Sequence, residues 1–291
     1  MELRHVTYFL TVVDRGGGPA AAAHLRVSPA ALAAAIKALE RDLGTALFHR
    51  IGRGLVLTPA GEAFVGPARR LLRDAVAAES SLVGGDGLPR GRLDLAAFTV
   101  LVTDPLARLV GAFRRRYPDV TVRITDVHDS RRVSTLIRDG HCEMAFCLLP
   151  IADRRLVSRT LGEYEQWLLL PPGATGPWGD GPVPIEAVAD LPLVIVPPGS
   201  PGRTLVERAL TAAGVRTEPC AIIEDRDAMT SFVLSGVGAA IAYRPIAERA
   251  QRYGAVARPL DPPILGTYGV VYDPARLSRT GRVFLDAALD G

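Results

Sequence analysis

The sequence has three cysteines, one lysine and no long apolar segment. An apolar run of about 18 residues is needed to cross a bilayer, and none occurs in the 291 residues. Residues 1–5 also lack the apolar stretch that begins a secretion signal. Cys142, Cys147 and Cys220 include no C-x-x-C pair, which argues against a disulfide framework and a structural zinc site. These absences predict a cytoplasmic protein with reduced cysteines and no membrane partner.

Sequence motifs of common enzymes are absent as well. G-x-S-x-G, H-E-x-x-H and the P-loop do not occur, and the five histidines are scattered along the chain. Gly16, Gly18 and Ala21 imitate the glycine fingerprint of dinucleotide sites, but the residues before them repeat with the period of a helix, not of a strand. The sequence therefore predicts no catalytic residues, no metal site and no cofactor.

The small positive charge of the chain is unevenly distributed. The sequence holds 34 basic and 31 acidic residues, and residues 1–90 contain 11 of the basic and 8 of the acidic ones. The whole excess of positive charge therefore lies in the first third of the chain. This distribution is compatible with a polyanionic partner there.

The first 45 residues have the apolar spacing and the capping residues of three helices. The apolar residues of the first segment share one helical face: Leu3, Val6, Phe9, Leu10 and Val13. Gly16 ends this segment and Pro19 begins a second helix. Ser28 is a favourable N-cap for a third helix, which Gly44 closes. Three short helices with a tight second turn indicate a helix-turn-helix.

Two further features follow before a change in sequence character. Residues 47–57 contain two short apolar runs around a tip rich in glycine and arginine, which predicts a β-hairpin, called the wing here. Pro59 then begins a helix that runs to about Leu82, with a kink expected at Pro67. Residues 84–89 are rich in glycine and predict a hinge and a domain boundary.

Beyond the hinge, strand-like and helical segments alternate. The predicted strands are 93–98, 120–124, 144–149 and 193–196, and the predicted helices are 105–116, 130–139, 201–214 and 228–236. Alternation of this kind predicts parallel sheets of the α/β type. There are enough elements for two lobes, and pockets in such sheets lie at the carboxyl ends of the strands.

The order and spacing of several motifs resemble the LysR-type transcriptional regulators. In the first 65 residues the matching motifs are Tyr8-Phe9, Ala21-Ala22, Val27-Ser28, Leu39-Glu40, Leu43-Gly44, Leu47-Phe48, Gly52-Arg53-Gly54, Leu57-Thr58 and Ala60-Gly61-Glu62. The similarity continues through residues 113–120, 139–140, 197–200 and 236–238, and so covers nearly the whole chain.

The resemblance implies a fold, a domain division and a function. It implies an N-terminal all-α winged helix-turn-helix (1–58), a linker helix and hinge (59–89), and a C-terminal α/β effector-binding domain (90–291). That domain is expected to be two-lobed and similar to periplasmic binding proteins, with lobe I at about 90–162 and 267–291 and lobe II at about 163–266. The implied function is a transcriptional regulator that binds double-stranded DNA, responds to a small molecule and forms a homodimer or homotetramer.

The predicted recognition helix departs from the family pattern. Alanines occupy residues 33–35, where the family has a Ser-Arg-Gln-like run, and Pro29 follows Ser28 directly. Arginine, glutamine and asparagine discriminate bases by paired hydrogen bonds, each worth about 1–3 kcal/mol, whereas alanine only touches a thymine methyl. The residues expected at DNA are Arg26, Ser28, Pro29, Ala30, Ala33, Ala34, Lys37, Arg50 and Arg53. Specificity would then depend on the wing, dimer spacing and DNA shape. The alternative is a scaffold with lost or non-specific DNA binding that acts as a ligand-binding or protein-interaction module.

The resemblance also places a small molecule between the two lobes. Hydroxyls and backbone N–H groups at helix starts would hold it, which favours an anion. The residues carried over by position are Thr99, Val100, Thr103, Ser130, Phe146, Pro198, Gly199, Ser200, Asp227 and Tyr243. The usual hydroxyl of the first loop falls on Val100, so Thr99 would have to replace it. Two alternatives stay open, a peroxide-sensing pair at Cys142 and Cys147 and an enzyme in the cleft, although no nucleophile or acid–base pair supports the enzyme.

Overall fold

Three short helices open the chain. The computed structural model describes residues 1–51, 54–82, 88–199, 201–225 and 228–290. It begins with α1 (Leu3–Arg15), α2 (Gly18–Leu25) and α3 (Pro29–Leu43). Gly16 and Gly44 end α1 and α3 in the left-handed conformation, with φ of 70° and 69°, which glycine adopts without steric cost. The capping residues therefore predict these boundaries correctly.

The predicted wing and long helix are both present. β1 (Phe48–Ile51) and β2 (Gly54–Leu57) pair antiparallel as a hairpin. α4 (Pro59–Leu82) is a helix of 24 residues that contains Pro67. The tip of the wing, residues 52–53, and residues 84–87 of the predicted hinge lie outside the described residues.

An aromatic cluster holds the three helices, the wing and α4 together. Phe9 is fully buried, with ring centroids of Phe48 and Phe64 at 5.4 and 5.3 Å. Thr58 joins the same elements, because its hydroxyl donates to the carbonyl of Ala46 at 2.7 Å and accepts the N–H of Gly61 at 2.9 Å. The N-terminal part is thus one packed unit in which the wing has a fixed position relative to α3 and α4.

A mixed β-sheet forms the centre of the C-terminal part. Its strands in chain order are β3 (Gly91–Phe98), β4 (Val120–Val127), β5 (Met144–Leu149), β6 (Val157–Leu170), β7 (Val183–Pro184), β10 (Ala240–Tyr243) and β11 (Val256–Tyr272). The lateral order is β10-β6-β11-β5-β3-β4, with β7 beside β11. Between β7 and β10, β8 (Leu193–Ile195) and β9 (Pro219–Ile222) form a separate parallel pair.

The prediction of parallel sheets is right for the strands that were predicted, β3, β4, β5 and β8, and wrong for the pairing of β6, β10 and β11. β3 is parallel to β4 and β5, whereas β11 is antiparallel to both β5 and β6. β6 and β11, of 14 and 17 residues, were not predicted. Pro259, Pro262 and Pro263 interrupt the strand pattern of β11, and the pairing shifts register between Pro259 and Ile264.

Helices cover the faces of this sheet. In chain order they are α5 (Thr99–Leu101), α6 (Ala107–Arg116), α7 (Arg131–Arg138), α8 (Pro201–Ala212), α9 (Met229–Leu234), α10 (Arg244–Gln251) and α11 (Arg279–Leu289). The helix predicted from residue 105 follows a kink at Asp104, whose φ of −154° and ψ of 125° are extended and not helical. Beyond the kink, α6 runs from Ala107 to Arg116. None of the helices among the described residues combines the length and apolar character of a membrane-spanning segment.

The buried apolar residues of the C-terminal part fall into separate clusters. The largest surrounds β3 and β5 and includes Phe146 and Phe284. Two smaller clusters lie around Leu168 and Leu169, on β6 and the elements between β7 and β10. β6 and β11 run through both regions. This arrangement agrees with a two-lobed architecture, while the predicted residue limits of the lobes stay a prediction.

Candidate functional site

α3 turns one face to the core and one to solvent. Its buried residues are Leu32, Ala35, Ile36 and Leu39. Pro29, Ala30, Ala34 and Lys37 are exposed on the other side, and Ala33 is half-buried. The residues predicted to face DNA on this helix therefore do share an accessible surface, which is small, apolar and carries one cation.

Two predicted residues shape the start of α3. Ser28 is its N-cap, and its hydroxyl oxygen accepts the N–H of Ala31 at 3.1 Å. The hydroxyl proton remains available to a phosphate oxygen, because a serine hydroxyl both donates and accepts. Arg26 is exposed and has a φ of 56°, the left-handed conformation that ends α2. Arg26 therefore lies in the turn that joins α2 to α3.

A single carboxylate links α3 to the wing. The Oε1 atom of Glu40 accepts the N–H groups of Leu47 and Phe48 at 2.8 and 3.2 Å. Arg50, two residues further along β1, is exposed. The predicted partner of Arg50, Arg53, lies outside the described residues. No role was predicted for Glu40, although it belongs to the Leu39-Glu40 motif of the family resemblance, seven residues before Leu47.

A cavity of about 400 Å³ opens between β5, β6, β8, β10 and α8. We call it the interlobe cavity. Its polar lining residues are Thr99, Thr103, Tyr164, Gln166, Arg203, Glu207, Thr217, Tyr243 and Arg249. Most of the remaining lining is aliphatic, including Leu148, Val194, Val206, Leu210 and Ile241. The predicted residues Thr99, Val100, Thr103, Pro198 and Tyr243 all lie in this lining.

The tyrosines of the cavity are neutral. The rings of Tyr164 and Tyr243 meet edge to face with centroids 6.0 Å apart. Burial is the main cause that raises the pKa of each hydroxyl to about 12. Both therefore keep their proton at any physiological pH and can donate a hydrogen bond. Alternation along β6 turns Tyr164 and Gln166 inward, whereas Glu163 is exposed.

The threonine expected to replace the missing loop hydroxyl is already engaged. The Thr99 hydroxyl donates to the carboxylate of Asp126, with oxygen–oxygen distances of 2.9 and 3.1 Å. Arg203 is engaged too, because its Nε lies 2.6 Å from the Glu207 carboxylate and its guanidinium donates to the Val196 carbonyl. In the cavity lining, the Thr99 hydroxyl is thus hydrogen-bonded to a carboxylate, and Arg203 is paired with another residue of the lining.

A second, more open pocket borders the first and shares Thr99 and Pro198 with it. We call this pocket the mouth. Its other residues are Asp126, His128, Asp129, Arg131, Pro197, Gly199, Glu224 and Asp225. His128 lies 3.0 Å from Asp126, and Arg131 lies 2.8 Å from Asp129. The hydrogen bonds from Arg131 hold the pKa of Asp129 below its usual value, so this carboxylate is charged near neutral pH.

Two predicted effector residues lie elsewhere. Phe146 is fully buried against Phe284, with ring centroids 6.1 Å apart, and does not line the cavity. The cavity contact on β5 is instead Leu148. Ser130 precedes α7 and lines neither the cavity nor the mouth. Ser200 and Asp227 lie outside the described residues.

α4 docks on lobe I through a buried polar contact. The Arg73 guanidinium donates to the Gly140 carbonyl at 2.7 Å and lies 3.8 Å from the Glu143 carboxylate. Glu143 also accepts the N–H of Ser278 at 2.7 Å, yet burial raises its pKa above the ordinary value. At Gly66 an added Cβ would overlap the Arg138 carbonyl. The contact between α4 and lobe I is therefore close-packed.

Comparison with known proteins agrees with both halves of this architecture. The family model "Bacterial regulatory helix-turn-helix protein, lysR family" matches residues 3–62, and "LysR substrate binding domain" matches residues 86–291. The regulator ClcR of Pseudomonas putida is 30% identical over 252 residues, which are 85% of this chain and 84% of ClcR. TfdT of Cupriavidus pinatubonensis is 31% identical over 206 residues, 68% of this chain and 86% of TfdT.

Solved structures match the fold over the full length. Full-length OxyR from Pseudomonas aeruginosa superposes with a TM-score of 0.72 at 21% identity, covering 99% of this chain and 98% of that one. Full-length CbnR, solved in complex with its target DNA, gives a TM-score of 0.68 at 21% identity and covers 99% of each chain. By its family models and its relatives, this chain belongs to the LysR family of bacterial transcriptional regulators.

Proposed function

We propose that this protein binds duplex DNA through α3 and the wing, and that a small molecule in the interlobe cavity modulates this binding. The observation that carries the proposal is the exposed face of α3, flanked by Arg26, Lys37 and Arg50. A negatively charged duplex would attract all three cations. Regulation is proposed in preference to catalysis because the relatives are regulators by name.

The proposed contacts divide by their chemistry. Arg26, Lys37, Arg50 and Arg53 would contact phosphates or reach the minor groove, and such contacts position a protein without reading sequence. Ser28 would donate to a phosphate at the N-terminus of α3. The alanines of α3 would let the helix approach the major groove closely, so selectivity would come mainly from DNA shape and from the spacing of two half-sites.

We further propose that two or four copies of the chain assemble through α4. A symmetric dimer would place two copies of α3 on successive turns of one duplex. In this proposal the protein acts in the cytoplasm, on chromosomal DNA.

The test is fluorescence anisotropy with the DNA upstream of the protein's own gene and with a shuffled duplex, over a range of salt. We expect Lys37→Ala and Arg50→Ala each to lower the slope of log K against log salt by about 1, the loss of one phosphate contact. Arg216→Ala removes an exposed arginine of lobe II and should leave the slope unchanged. Equal affinity for the two duplexes, with slopes that neither variant alters, would instead support the non-operator scaffold.

A further inference from the structure

We infer that the interlobe cavity selects an uncharged, largely apolar effector with a hydrogen-bond acceptor at one end, and discriminates against the corresponding carboxylate. This inference rests on the proposed function, since it names the kind of molecule that the regulator would sense. It differs from the anion that the family resemblance predicts.

The interior of the cavity is suited to an apolar body. Leu148, Val194, Val206, Leu210 and Ile241 line it, and Val194 and Leu210 are almost fully buried. Transfer of an apolar surface into such a site is favourable by about 25 cal/mol per Å². A cavity of about 400 Å³ lies within the usual range for small-molecule sites. Most of the affinity would therefore come from burial of hydrocarbon.

Three of the groups that could hold an anion are absent or occupied. Val100 stands where the first hydroxyl is expected, and Thr99 directs its hydroxyl proton to Asp126. A bound carboxylate would meet the Thr99 oxygen and, behind it, another carboxylate. Arg203 is paired with Glu207, so its charge is compensated inside the site. Arg249 also lines the cavity, but it is exposed, and water and salt weaken its attraction.

Apart from the exposed Arg249, the donors that remain, which include the hydroxyls of Thr103 and Thr217, are neutral. Tyr164 and Tyr243 keep their protons because of burial, and the Gln166 amide lies on the same face of β6 as Tyr164. Such groups satisfy a carbonyl, an amide or an ether oxygen. They cannot compensate a buried carboxylate, whose transfer out of water without a paired charge is far more costly than that of a neutral polar group.

The mouth adds electrostatic discrimination. Its described side chains include four carboxylates, from Asp126, Asp129, Glu224 and Asp225, and two basic groups, from Arg131 and His128. A rim with excess negative charge lowers the local concentration of anions and slows their entry. Both the rim and the interior thus disfavour the anion.

The experiment compares octanamide with octanoate, two probes with the same tail, by isothermal titration of the full-length protein. We expect octanamide to bind at least tenfold more tightly. We also expect added sodium chloride to tighten octanoate binding relative to octanamide, because salt screens the repulsion at the mouth. An ordinary anion site would show the opposite salt dependence.

Variants locate the binding. Val206→Trp places an indole in the cavity from α8 and should abolish octanamide binding. Ile246→Trp also places an indole in the cavity and is used if the Val206→Trp protein does not fold. Leu289→Trp, at an exposed position near the end of α11, is the matched control. Octanoate binding that equals or exceeds octanamide binding and is lost in Val206→Trp would overturn the inference, as would the failure of both probes to bind. Neither outcome bears on operator binding, which the anisotropy titration measures separately.

Discussion

Glu40 provides a direct test of whether the wing is fixed to the recognition helix. Its carboxylate is half-buried and accepts two backbone N–H groups, from Leu47 and Phe48. Removal of the acceptor in Glu40→Ala would leave both donors without their partner at the point where α3 meets β1. The wing would then lose its defined position, and Arg50 would no longer be held beside α3.

The expected size of the effect follows from these two bonds. A hydrogen bond to a charged group contributes about 1.5–3 kcal/mol. Because the two bonds share one partly hydrated oxygen, we expect a total of about 2–3 kcal/mol, less than the roughly 3–6 kcal/mol that two independent bonds of this kind would give. The amides of Leu47 and Phe48 should then exchange with deuterium roughly 30- to 140-fold faster, which hydrogen-exchange mass spectrometry of the wing peptide measures.

Two matched variants separate geometry from charge. Glu40→Gln keeps an oxygen acceptor but removes the charge, so exchange should rise only a few-fold. Glu62→Ala removes an exposed glutamate of α4 and should leave the wing amides protected. Operator affinity should fall in Glu40→Ala alone. If Glu40→Ala and Glu62→Ala exchange alike, the carboxylate does not position the wing and the reasoning is refuted.

Three further predictions concern the core, a buried acid and the cysteines. Phe9→Ala should lower the free energy of unfolding by about 3–5 kcal/mol in urea denaturation, since Phe9 is fully buried between two rings; a change under about 1 kcal/mol would contradict this packing. Burial raises the pKa of Glu143, so the folded state binds the proton of this carboxyl more tightly than the unfolded state does. The free energy of unfolding should therefore decline as pH rises from 4.5 through the folded-state pKa. The denaturation midpoint should fall less over this pH range in Glu143→Gln, and the same pH dependence in both proteins would refute the prediction. Burial raises the pKa of Cys147 to about 12 and raises that of Cys142 further. A thiol reagent should therefore modify only the exposed Cys220 while the protein is folded. Rapid reaction of a second thiol would instead support the redox-sensing alternative.

The sequence predicted those parts of the fold whose causes are local. Ser28, Pro29 and Gly44 define α3 because caps act within one turn of the helix that they limit. The long strands were missed for the opposite reason. β11 carries prolines within its length and owes its extended form to two partners, β5 and β6, that lie far away in sequence. Pairing with distant strands overrides local propensity and leaves no local signal.

The cavity residues were also predicted only in part. The role of the carried-over residues in effector binding stays a prediction, but Thr99, Thr103 and Tyr243 were found in the cavity lining. Phe146 was not, and the sequence could not show this, because β5 is apolar on both faces and its sequence does not distinguish a core position from a cavity wall. The pairing of Arg203 with Glu207 has the i,i+4 spacing of a helical ion pair, so it was available from sequence. The sequence did not show that both side chains line the cavity, where the pairing compensates the charge of Arg203.

The two functional regions are connected by one short strand. β5 has six residues; Glu143 immediately precedes it and contacts Arg73 of α4, and Leu148 near its other end lines the cavity. In the proposed function, a ligand that shifts Leu148 would act through β5 on the contact between α4 and lobe I. That contact is close-packed at Gly66, and packed contacts change between discrete arrangements and do not deform gradually. The ligand's differential affinity for those arrangements, and not its affinity alone, would set how strongly it changes DNA binding.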